Sequence, residues 1–341
     1  MRSRRLAFAV LATVCVVAAG SSAAVAVLGA KEEEARAARE IRAARPHAES
    51  IRASGRPYAV VRMLDRAHGA TYGRIAIAPL AGGNAGERVL AGPSCQRVAV
   101  AAGKGLCLDV LGTEMSVKVM DADLNVRHVA SLPGIPSRAR ISPDGRWGGI
   151  TAFVVGHAYT SPGEFSTAAT IIDLRTGRPV ADLEKDFTVT DGGNVVDARD
   201  RNYWGLTFAA DGDTFFATLA TGGDTWLIKG SIKARRAETI HRNVECPSLS
   251  PDGARIAYKK AIARNPSVWR FHVLDLATGK ETALSETRSV DDQLSWLDDR
   301  HVLYGAEEKI WMADADGSGR PKVWMAAADS PTVQAGAASS S

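Results

Sequence analysis

Short apolar runs, separated by tight clusters of Gly, Asp and Pro, fill the chain from about residue 57 to about residue 330. Runs of this length with period-two alternation predict β-strands, and the clusters between them predict turns. One hairpin pattern recurs: RARISPDGRWGGITAF at 138–153, GLTFAADGDTFFATLA at 205–220, PSLSPDGARIAYKKA at 247–261 and, in decayed form, QLSWLDDRHVLYGAE at 293–307. In the two SPDG turns Pro presets φ, and across the copies Asp can bond to nearby backbone amides while Gly, where present, supplies a positive φ. Asp144, Asp211 and Asp252 are therefore read as turn residues before any chemical role is considered.

A second type of hairpin occurs six times: RIAIAPLAGGNAGERVLAG, SVKVMDADLNVRHVASL, ATIIDLRTGRPVADL, TWLIKGSIKARRAETI, FHVLDLATGKETALS and KIWMADADGSGRPKVWM. Asp211 and Asp252 are 41 residues apart and Asp252 and Asp298 are 46 apart, the length of one four-stranded blade of a repeat fold. Asp144 and Asp211 are 67 apart, so that interval carries insertions, placed at HAYTSPGEF, 157–165, and TDGGNVVDARDRNYW, 190–204. The expected fold is an all-β, six-bladed β-propeller of four-stranded antiparallel blades. Its first blade is one strand short, and residues 331–334 are expected to supply the missing strand and close the ring, because closure removes open sheet edges.

SPDG twice, DADG once at 314–317, and strands ending in VLDLATG resemble the repeat of TolB-like propellers, also called WD-like or PD40-type repeats. The resemblance covers roughly 57–330 and implies blades arranged around a central channel. Known TolB proteins have a separate N-terminal domain and are soluble in the periplasm, whereas this chain begins with a hydrophobic segment. The high Ala, Arg and Gly usage points to an actinobacterial, membrane-anchored type, so a role in the Tol system is not carried over.

That segment, residues 6–30, holds about 25 uncharged residues between MRSRR and KEEE and is long enough to span a bilayer. The basic flank places the N-terminus inside and the rest outside. A transmembrane signal-anchor over 1–30 is the expected reading. The alternatives are a secreted chain, cleaved after AVA at 24–26, and a lipoprotein through Cys15. Residues 31–55, rich in Ala, Glu and Arg, predict a helical stalk interrupted at Pro46, or a spacer. The propeller is assigned to 56–335, and 336–341 to a disordered tail.

Composition adds limits. With 45% hydrophobic residues, 32 Gly and 14 Pro, the 341-residue chain suits a turn-rich β domain with a large core. A net charge of +4, with much of the Arg content near the N-terminus, gives no nucleic-acid footprint. Cys95 and Cys107 flank Gly103 and Gly105 on two adjacent strands and are expected to form a disulfide in an exported domain. Cys246 is left over, a buried small hydrophobe. No zinc-protease, nucleophile-elbow, P-loop or dinucleotide motif is present. The GGDTW segment at 222–226 lacks the aspartate of an Asp-box, and acidic groups such as Asp314 and Asp316 read as solvated turns. No catalytic residue, metal or cofactor is assigned.

Binding surfaces of propellers lie where loops converge, so the two insertions supply the candidate site. They nominate His157, Tyr159, Glu164 and Phe165, then Asp191, Asn194, Asp197, Arg199, Asp200, Arg201, Asn202, Tyr203 and Trp204. The expected function is an extracytoplasmic, membrane-tethered platform that binds a protein or cell-wall polymer without catalysis. A hydrolase or lyase at the channel mouth is the alternative, and a sensor relying on a partner for output is the third reading. Perturbed His, Asp and Arg around one pocket would favour the enzyme. A flat, aromatic-rimmed face would favour docking.

Overall fold

The computed structural model describes residues 28–29, 31–65, 71–154, 166–264 and 266–336. Six sheets follow one another around a ring, all antiparallel but for one added strand in the fourth. Blade I is built from Tyr58–Met63, Arg74–Ala81 and Val89–Ser94, with Asn84–Ala85 as a short side branch. Blades II, III, V and VI are four-stranded, running from Arg97 to Pro133, Ile135 to Asp182, Glu245 to Ala283 and Ser295 to Ala326. Blade IV spans Asn202 to Arg242. All six hairpins read as the second type pair antiparallel, for example His272↔Ala283 and Leu274↔Glu281 in blade V.

The core is divided among six clusters of buried side chains, and each lies between two neighbouring blades. Ala139, Ile150 and Ile172 of blade III meet Leu106, Met115 and Val117 of blade II. Tyr258 and Leu274 of blade V meet Phe216 and Leu227 of blade IV. A strand in the middle of a blade is thus covered on both faces, which explains its near-continuous apolar sequence. Gly148 and Gly149 show how closely the blades approach. A Cβ on Gly148 would lie 2.6 Å from Ile172 and 2.7 Å from Leu106, and one on Gly149 would lie 2.7 Å from Leu206.

The ring closes as the sequence predicts, with a longer strand than expected. Ala328–Gln334 pairs with Tyr58–Met63, bringing Gln334 opposite Tyr58 and Ala328 opposite Met63, and becomes the innermost strand of blade I. An ion pair between Arg62 and Asp329 at 2.8 Å reinforces the seam, and Gln334 Nε2 donates to the Val100 carbonyl of blade II. The turn aspartates also behave as read: Asp211 accepts from the amides of Asp213 and Thr214 at 2.9 and 2.8 Å, and Asp252 from Ala254 at 3.0 Å. Cys95 and Cys107 are bonded. Cys95 lies just before the strand Arg97–Ala101, and the residue opposite Cys107 is Val98.

The hydrophobic segment at 6–30 lies outside the described residues except for Leu28 and Gly29, as does the loop at 157–165. Among the described residues no helix is long and apolar enough to cross a membrane. Pro46 does not interrupt the helix before the propeller, which runs over 31–53. Proline deprives that helix of one backbone bond. The loss is offset by burying Ala48 and Ile51, with Ala44 beside them, against Val60, Ile75 and Met120 of blades I and II. Arg52 pairs with Asp123 at 3.1 Å and Arg45 donates to Asn125 at 2.8 Å, so the helix is docked on the propeller and does not stand free as a spacer. The insertion before Asn202 is likewise partly regular. Thr188–Asp191 adds to Arg236–Arg242 in parallel and Asn194–Val195 adds to it in turn, giving blade IV six strands.

Two glutamates, the half-buried Glu281 and the buried Glu286, tie neighbouring blades together. Glu281 accepts from Tyr258 and from His241 of blade IV, both at 2.7 Å, and from Lys260. Glu286 accepts from Tyr304 of blade VI and from Arg288, both at 2.5 Å. Burial opposes ionisation of both carboxyl groups, but these donors outweigh it and push each down to about 2. Their contribution is present above the ordinary carboxyl range and is lost as pH falls toward 2.

Deleting residues 329–341 is expected to open the ring and lower Tm by about 10 °C or more; an unchanged melt contradicts the closure. Acid titration of stability should show loss beginning below about pH 4.5. Glu286→Gln should cost about 2 kcal/mol at pH 7 and flatten that acid limb, whereas an acid limb identical to the parent's contradicts the role of Glu286.

Candidate functional site

At the end of the disc where the second strands of blades III, IV and V finish, a cavity of about 660 Å³ lies between the three blades. Phe153 and Ser166, which flank the insertion at 157–165 in sequence, line it, as do Thr221, Gly223 and Asp224 from blade IV and Arg264 and Ser267 from blade V. His157, Tyr159, Glu164 and Phe165 belong to that insertion and lie outside the described residues.

The second group of nominated residues divides. Asp200, Arg201, Asn202 and Trp204 line the cavity. Asp200 is fixed by Thr221 Oγ1 and the Gly222 amide, both at 2.7 Å, and these bonds hold its carboxyl below its ordinary value. Asn202 bridges blades by accepting from the Thr167 hydroxyl at 2.6 Å. Tyr203 points the other way into the core between blades III and IV, where burial pushes its hydroxyl up to about 12. Asp191 and Asn194 sit on the hairpin at the outer edge of blade IV, and Asp191 accepts from Thr239. Arg199 is exposed, and Asp197 pairs with Arg201 at 3.2 Å.

The floor of the cavity is formed by residues outside the two insertions, and of them Cys246 alone is read from the sequence, as a buried small hydrophobe. Arg138 comes from the innermost strand of blade III, Glu245 and Cys246 from that of blade V, Lys259 and Trp269 from the next two strands of blade V, and Asp291 from the connection to blade VI. Asp291 Oδ1 accepts from Lys259 Nζ at 2.5 Å and from Arg138 at 3.1 Å. The ammonium of Lys259 also sits 4.3 Å from the centre of the Trp269 ring, a cation–π contact. Trp269 Nε1 in turn donates to Glu245 at 3.0 Å.

Burial disfavours charge on Asp291, Lys259 and Arg138, yet the opposite charges around them prevail. The Asp291 carboxyl is lowered by Lys259 and Arg138. Lys259 is raised by Cys246 and Asp291, and Arg138 by Cys246, Asp292 and Asp291. All three shifts keep the charged forms, the reverse of what a proton-transfer group working near neutrality requires. No histidine lines the cavity among the described residues.

Cys246 is free and buried, with φ at +50°, a left-handed conformation that costs a non-glycine residue about 1–2 kcal/mol. Its amide donates to Thr218 at 3.0 Å. Gly205 lies against it, and a Cβ there would come within 2.7 Å of the Cys246 Cα. The sequence did carry one signal for the floor. In RARIS the arginines at 138 and 140 alternate with Ala139, which puts both on the channel face of an innermost strand.

A second cavity of about 800 Å³ enters the channel from the opposite face, past the turns at Pro143, Pro251 and Asp252. Arg140 lines it, and burial together with the charge of Arg138 lowers its guanidinium to about 10, against the pull of Asp292. Among the described residues no group of three or more His, Cys, Asp or Glu is placed to hold a metal ion.

Neither a protein-family model nor a curated protein matches the sequence. Solved structures do resemble the fold. TolB from Acinetobacter baumannii superposes with a TM-score of 0.57 at 19% identity over 82% of this chain, which spans 66% of the length of that protein. A chain of the nidogen/laminin complex superposes with a TM-score of 0.54 at 10% identity, over 81% of this chain and 98% of the other. At such identities the likeness is one of fold, and the fold is a TolB-like β-propeller.

Proposed function

We propose that this chain is a non-catalytic recognition module, tethered on the outer side of the cytoplasmic membrane by residues 6–30, that takes a protein or cell-envelope ligand at the face between blades III, IV and V. The observation that carries the reading is the cavity there: roomy, lined by Trp204 and Trp269, and floored by groups held in their charged forms. Fixed charges and aromatic faces suit binding and orientation, and a cavity of this size is typical of ligand sites. The fold adds general support, since propellers present variable loops on a rigid disc. The tether rests on the length of the uncharged N-terminal stretch and its basic flank.

Crosslinking the full-length protein in native cells tests the reading. Specific partners captured by the parent should be lost from a variant lacking residues 157–165 and reduced by Trp269→Ala. Capture of the same partners at the same yield by all three proteins contradicts it.

A further inference from the structure

Most cations that line the channel have an anion beside them. Arg62 and Arg97 lie 2.8 and 3.8 Å from Asp329, and Arg138 and Lys259 lie 3.1 and 2.5 Å from Asp291. Arg140, on the innermost strand of blade III, makes no ion pair among the described residues, and Asp292 attracts it only from beyond ion-pair distance. Its Nη2 donates to the Leu294 carbonyl and, at 3.5 Å, to Ser248 Oγ, whereas Nε and Nη1 donate to no described residue. Neither of these two nitrogens is among the buried side-chain atoms left without a partner. Arg140 is half-buried, so they open on the space that it lines, the second cavity of about 800 Å³. Burial and the charge of Arg138 lower its guanidinium to about 10, as expected of a cation short of compensation.

Independently of the function proposed for the other face, we infer that this mouth of the channel takes the C-terminal end of a partner peptide, with the terminal carboxylate on Arg140 and the last side chains apolar. The carboxylate accepts an open guanidinium N–H, a charge-assisted bond. The wall around Arg140 is apolar and comes from the innermost strands of all six blades, through Val333, Val100, Ile141, Phe208, Leu249 and Trp296. Each of those strands is paired within its own blade on one side only. The other edge leaves main-chain N–H and C=O groups toward the channel, which an extended peptide can bond and a fatty acid cannot. Asp252, Asp298 and Asp299 line the same mouth. They repel a polyanion, so the anion is single and enters first, and they suit a basic residue a few positions before the carboxylate. A cavity of this volume has room for a short chain end.

The probe is N-acetyl-lysyl-alanyl-leucyl-leucine, titrated calorimetrically into the full-length protein as the free acid and as the C-terminal amide. The acid should bind, and the amide should bind about tenfold or more weakly, the loss expected for one charge-assisted bond. Arg140→Gln should bring the acid down to the affinity of the amide, with a thermal melt to show that the variant folds. Ala210→Trp, at an exposed position lining the same mouth, should weaken binding of the acid without disturbing the core, and it locates the site even if Arg140→Gln does not fold. Octanoate, which carries a carboxylate on an apolar stem but no peptide backbone, should bind less tightly than the acid. Equal binding of acid and amide, no binding of either, or tighter binding of octanoate overturns the inference. So does an affinity for the acid that is unchanged in folded Arg140→Gln or in Ala210→Trp. All of these results leave the function proposed for the face between blades III, IV and V standing, because its test turns on residues 157–165 and Trp269.

Discussion

Closure of the ring by Ala328–Gln334 is the constraint on which the other features depend. Each blade buries its side chains only against its two neighbours, so a propeller with one open edge would expose the apolar faces on either side of the gap. Here the seam joins the end of the chain to Tyr58–Met63, and Arg62 and Asp329 place an ion pair beside the channel where it closes. The docked helix at 31–53 covers part of the same region, packing Ala48 and Ile51 against blades I and II next to the Cys95–Cys107 disulfide. With the ring closed, blades III, IV and V are held in fixed relation, and a cavity can exist between them.

The charges at the floor of that cavity follow from the same geometry. Innermost strands run along the channel, and a side chain that faces inward there has few apolar neighbours and some access to water. Arg138 and Arg140 occupy such positions and are compensated by Asp291 and Asp292 from the connection between blades V and VI. Removing one member of such a set leaves the others uncompensated in a poorly hydrated space. The set is therefore rigid, and rigidity suits a surface that must present the same hydrogen-bonding pattern to each arriving ligand.

What could be read from the sequence was local. The turns at Asp144, Asp211 and Asp252, the six hairpins and the need for a closing strand all follow from turn chemistry and period-two patterning over fewer than twenty residues or so. The disulfide followed from two short arms about a glycine turn. What escaped was nonlocal. Asp200 and Trp204 were nominated from an insertion, but Lys259, Trp269 and Glu245, which share the cavity with them, sit on ordinary blade strands and are joined to it only by the ring. Tyr203 alternates away from Trp204 into the core, a consequence of strand pleat that a loop reading overlooks. Pro46 reads as an interruption because local propensity counts the lost bond and not the tertiary packing that offsets it.

Hydrogen–deuterium exchange with and without a captured partner tests the central claim, that ligands are taken at the face between blades III, IV and V. New protection at 200–204, 221–225 and 264–269 on partner binding is the predicted result. Protection confined to the outer edges of the disc, such as the exposed strand Val126–Pro133 of blade II, with no change around the cavity, would contradict it.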